Sequence, residues 1–109
     1  MLQIREDQLD VLMPPRADFV AQTCAHVAAI WRSECARLGP KALEQRVRTA
    51  IVRARRYGFD RKGPARRFVE LVITFGPELE QLPWAREHLT QPRPDIDALW
   101  RAALAELDR

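Results

Sequence analysis

Several residue types are nearly missing from this 109-residue chain, and each shortage excludes something. There are only two cysteines, Cys24 and Cys35, eleven positions apart. On one helix their Cα atoms would stand roughly 16 Å apart, beyond disulfide reach, so no disulfide framework is expected. Unpaired thiols suit a reducing compartment, and small apolar core residues are the plainer reading of both. Glycine occurs four times and tyrosine once. With abundant Ala, Leu, Arg and Glu, that balance leans towards an all-α fold. No run approaches the roughly 18 to 20 apolar residues that a membrane span needs. The opening MLQIREDQLD is charged within seven residues and does not read as a signal peptide, so a cytoplasmic location is expected.

Chemistry is scarce too. Two histidines, His26 and His88, are the only imidazoles, and Ser33 and Cys35 the nucleophiles worth naming. No HExxH, GxSxG, CxxC, P-loop or GxGxxG is present. His26 lies beside an apolar stripe, as a satisfied core-edge residue does. Glu78 and Glu80 read as solvated charge in a polar turn. No nucleophile, base and orienting group assemble into a site, so the chain is not expected to be an enzyme, with no catalytic residues, no metal and no cofactor.

Proline and charge are well supplied and unevenly placed. The eight prolines, at 14, 15, 40, 64, 77, 83, 92 and 94, fall mostly where helices would begin or end. The apolar fraction of 47% and charged fraction of 30% are those of one globular domain over 1–109. A short amphipathic helix is expected over 4–12, with Ile4, Leu9 and Leu12 apolar. A long one over 15–38 follows, with Val20, Cys24, Val27, Trp31, Cys35 and Leu38 at steps of three or four, widened by Phe19 and Ile30. Gly39-Pro40 stops it and starts the next, over 41–57, which turns Leu43, Val47, Ala50, Ile51 and Ala54 inward. Gly58 ends that helix, and Asp60 is the expected N-cap of another over 61–75. Its FVELVITF could be a buried strand, but Ala65, Phe68, Val72 and Phe75 keep helical spacing and no second strand exists to pair with it. A short helix over 83–89 begins at Pro83. A last one, over 95–107, is capped by Asp95 and carries Ile96, Leu99, Trp100, Leu104 and Leu107. The expected architecture is a compact all-α bundle of about five or six helices.

Residues 1–40 carry a net charge of −1, residues 41–67 of +8 and residues 68–109 of −4. Sixteen of the 18 bases are arginines, so the chain uses Arg wherever it needs a base, and counting arginines overstates any case for nucleic acid. Residues 41–75 can be drawn as a helix-turn-helix, but the bases at 46, 48, 53, 55 and 56 wrap much of the polar side instead of forming a stripe. The would-be recognition helix is apolar after Arg67 and, Thr74 apart, lacks the small polar residues that read base edges. A DNA-binding regulator is therefore the weaker reading, and nucleic acid is not an expected partner. Three tryptophans among 109 residues suit a protein interface, because aromatic and Arg side chains anchor most interfaces. All three could equally complete the core.

Three segments, LGPKAL (38–43), RARRYGF (53–59) with ARRFVELVITFGPELE (65–80), and LPWAREHL (82–89), resemble in order and spacing small helical proteins of bacterial type VI secretion effector gene clusters. The resemblance spans roughly 38–107. Gly63-Pro64, early in the fourth helix, departs from it. It implies a co-chaperone-like role: binding an adaptor chaperone that loads an effector onto the secretion spike. It carries no catalytic residues, and neither a membrane nor a small-molecule substrate is an expected partner. Arg53, Arg56, Tyr57, Trp84 and Trp100 are the expected partner contacts. An immunity protein that neutralises a cognate toxin is the alternative, since the same clusters contain such proteins.

Overall fold

A computed structural model describes residues 15–109; the helix expected over 4–12 lies outside the described residues. Six α-helices are present among them: α1 (Ala17–Ile30), α2 (Arg32–Leu38), α3 (Pro40–Arg56), α4 (Lys62–Phe75), α5 (Pro83–Leu89) and α6 (Ile96–Leu107). A single 3-10 turn, Leu79–Gln81, joins α4 to α5. The described chain holds no strand, so the all-α bundle is observed and FVELVITF is helical.

α4 is the centre. From Phe68 to Ile73 every residue is buried, and α1, α2, α3 and α6 all pack on it. This explains its strand-like composition, because a helix enclosed on all sides needs apolar residues all round. α3 lies against it through Leu43, Val47, Ala50, Ile51 and Ala54, all buried as their spacing requires. Those positions leave the polar side of α3, with Arg46, Arg48, Arg55 and Arg56, towards the outside.

The helix expected over 15–38 is two. Trp31 leaves helical geometry, at φ −108° and ψ 61°. Hydrogen bonds from Trp31 N–H to Val27 O and from Cys35 N–H to Trp31 O carry the chain through the bend. The bend lets both halves face the core. Val20 and Val27 are buried before it and Cys35 after it, while Ile30, expected to widen the apolar face, points to solvent. Trp31 itself is half-buried against the core.

Two helix ends follow clear local rules. After α3, Gly58 N–H donates to Arg55 O and Phe59 N–H to Ala54 O, the paired bonds of a Schellman ending. That ending needs a left-handed residue, and Gly58 supplies it at φ 85°. At the start of α6, Asp95 accepts from the Asp97 N–H, the expected cap. The start of α4 differs from expectation. Arg61, extended, is its N-cap and makes no side-chain cap bond, so Asp60 does not cap it. Pro64 sits in the first turn, where a missing N–H costs nothing.

Candidate functional site

The arginines of 46–67 divide once they are placed. Arg53, in the last turns of α3, donates to Glu80 Oε1, and the Tyr57 hydroxyl donates to Glu80 Oε2. All three side chains are partly buried, so the carboxylate ties the end of α3 to the 3-10 turn. Burial raises the Tyr57 pKa against the opposing pull of the Arg53 and Arg56 charges, which keeps the phenol a donor at neutral pH. Burial likewise lowers that of Arg53, opposed by Tyr57. Glu80 is therefore a partner of two side chains and not the solvated charge expected of it. Nothing in LPWAREHL or PELEQ marks it; only the turn at 79–81 aims Glu80 inward.

Tyr57 also belongs to an aromatic cluster, its ring centroid 5.9 Å from that of Phe68 and 6.2 Å from that of Phe59. Of the five expected contacts, Arg53 and Tyr57 thus stand together, beside the exposed Arg56 on the last turn of α3. Neither Trp84 nor Trp100 makes a ring contact with Tyr57 or with the other. Trp84 is half-buried and meets Phe75 edge to face, centroids 4.9 Å apart. Trp100 lies on α6 with the Arg67 guanidinium 5.7 Å from its ring centre, and Arg67 also pairs with Asp97.

What the α3–α4 hairpin presents outward is a basic surface with two shallow clefts. One has a floor of Phe19, Ile51 and Phe59 and a rim including Arg55, Asp60 and Lys62. The other, between α2, α3 and the end of α4, brings Arg37 and Arg46 near Glu34 and Thr74. Arg61 and Lys62 project at the turn between the helices. Arg48 is paired along its own helix with Glu44, 3.0 Å away.

The groups considered for catalysis do not converge. His26 hydrogen-bonds Glu70, whose side chain is 9% exposed on α4, and so joins α1 to α4. Its distant partner, 44 residues on, could not be read from spacing. Cys24 and Cys35 are both free thiols. Burial raises the pKa of each, with Glu44 adding to the effect at Cys24 and Glu34 at Cys35. That suppresses the thiolate a nucleophile needs. Among the described residues no group of three or more His, Cys, Asp or Glu could hold a metal, and no helix is long and apolar enough to cross a membrane. Comparison of the chain with protein-family models, curated proteins and solved structures finds no match to any of them.

Proposed function

We propose that this is a non-enzymatic, cytoplasmic protein-binding factor, which engages an adaptor chaperone and through it assists the loading of a type VI secretion effector. The secretion setting rests on the resemblance of LGPKAL, RARRYGF and LPWAREHL to such proteins. The choice of a protein over a nucleic acid as partner rests on one observation, the enclosure of α4. In a helix-turn-helix drawn over 41–75, α4 would be the helix that enters the major groove. Its residues from Phe68 to Ile73 are instead buried among four other helices, so only its first turn and a half, up to Arg67, is open to a groove. The basic side chains lie on the outer side of α3 and at the turn after it. A basic surface of that kind complements an acidic protein face and steers its approach.

Affinity purification of the tagged protein from a strain expressing its gene cluster tests the proposal. The expected result is recovery of an adaptor together with its effector, weakened at raised salt and by Arg61→Glu with Lys62→Glu. Recovery of a toxin alone, with protection of cells from it, would replace this reading by the immunity one. Sequence-selective duplex binding that falls steeply with salt would replace it by a regulator.

A further inference from the structure

α6 buries Ile96, Leu99 and Ala103, and at 100° per residue its other large apolar residues form a second strip beside them. This strip is Trp100, Leu104 and Leu107, spaced four and three apart. It faces out: Leu104 is 49% exposed and Leu107 59%, while Trp100 is half-buried under Arg67. Apart from Ile30, these leucines are the large apolar side chains most open to water among the described residues. Along the solvent edge of the strip stand Arg101 and Asp108, both exposed. Neither side chain has an ion-pair partner among the described residues.

The geometry points to a second copy of this chain as the occupant of that strip, its α6 packed antiparallel on this one about a twofold axis beside Leu104. The charge order selects the arrangement. Arg101 and Asp108 are seven residues apart, two helical turns, with Leu104 between them. An antiparallel copy sets each Arg101 opposite Asp108 of the other chain, twice over, and brings the two Leu104 side chains together. A parallel copy would place the two Arg101–Asp108 edges on opposite outer flanks of the pair, without these ion pairs, and is disfavoured. The interface is isologous and closes at two chains. One helix face buries less than the roughly 800 Å² per partner of a standard stable interface, so the dimer is a weak one, forming at high micromolar concentrations and above. The strip is on a different helix from the basic α3 surface, so this inference stands apart from the proposed function.

Sedimentation equilibrium of the purified chain between about 10 μM and 1 mM is the test, over a range set by the small interface. The average mass is expected to rise from that of the 12.6 kDa monomer towards twice that value and no further. Leu104→Glu, at an exposed site, should abolish the rise while leaving the helical circular dichroism unchanged. Arg101→Glu should weaken association several-fold, and Arg101→Glu combined with Asp108→Arg should restore it, because each reversed charge again meets its opposite. A chain that stays monomeric at 1 mM, association indifferent to Leu104→Glu, a double reversal weaker than the single one, or growth past the dimer would each overturn the inference.

Discussion

Glu80 stands on a three-residue turn and accepts from two side chains at the end of α3, Arg53 and Tyr57. Truncating it leaves a guanidinium and a phenol partly buried without their acceptor, at a cost of about 1–3 kcal/mol. Glu80→Ala should therefore lower the urea midpoint at unchanged slope, and Glu80→Gln, which keeps an acceptor, should lower it less. An unchanged midpoint for Ala would mean that the bridge contributes nothing. In the sequence Glu78 and Glu80 are alike, two acids in one polar turn; which of them meets Arg53 depends on the path of the turn and not on residue type. The thiols allow a second prediction. Cys24, Cys35 and Tyr57 all have pKa values raised in the fold, so the folded state favours their neutral forms. That contribution is fully present below the unfolded values, about 8.5 for a thiol and 10 for a phenol, and is lost as pH rises through the folded ones. Melting temperature should accordingly hold near pH 7 and decline from about pH 8.5 upward. A series of thermal melts across that range would show it, and a melting temperature rising with pH there would contradict it.

At the scale of the element, the helix ends were the readable part. Gly58 after RARRY and Asp95 before IDALW announce a Schellman ending and an N-cap, and both form. An alanine at 58 would meet no atom within 4 Å, so its cost is that of the left-handed backbone alone. Gly58→Ala should destabilise the fold by about 1 kcal/mol, a fall of roughly 4–8 °C in melting temperature for a domain of this size. A gain in stability would show that the turn can leave its left-handed form. The bend at Trp31 was not readable. Neither Gly nor Pro marks it, and the stripe from Val20 to Leu38 runs through it unbroken. The bend answers to packing, since it turns Cys35 and Leu38 towards α3 and α4 while Ile30 is left outside. The cap of α4 was misplaced by one residue because Asp60 is the better capping residue and Arg61 the one with the required geometry.

For the molecule as a whole, the question is which apolar residues hold it together and which merely sit on it. Periodicity alone grants Phe68 and Leu104 equal standing, each on the apolar stripe of its own helix. Topology separates them. Phe68 is on the helix that four others enclose, fully buried and in ring contact with Tyr57 and Phe59. Leu104 is on the outer strip of the last helix, 49% exposed. Removing the Phe68 ring opens a cavity where α3 and α4 meet, and such changes cost about 3–5 kcal/mol. Removing most of the Leu104 side chain opens none, and surface changes of that kind stay within about 0.5 kcal/mol. Against a total stability of about 5–15 kcal/mol for a small domain, Phe68→Ala should leave the chain partly unfolded or sharply less resistant to urea. Leu104→Ala should unfold together with the parent when measured at low micromolar concentration, below the range in which an α6 dimer would contribute. Equal losses at the two sites would place the core elsewhere than around α4. The predicted contrast follows from enclosure, not from residue type: α4 supplies the centre of the fold, and α6 seals one side of it while keeping an apolar face turned outward.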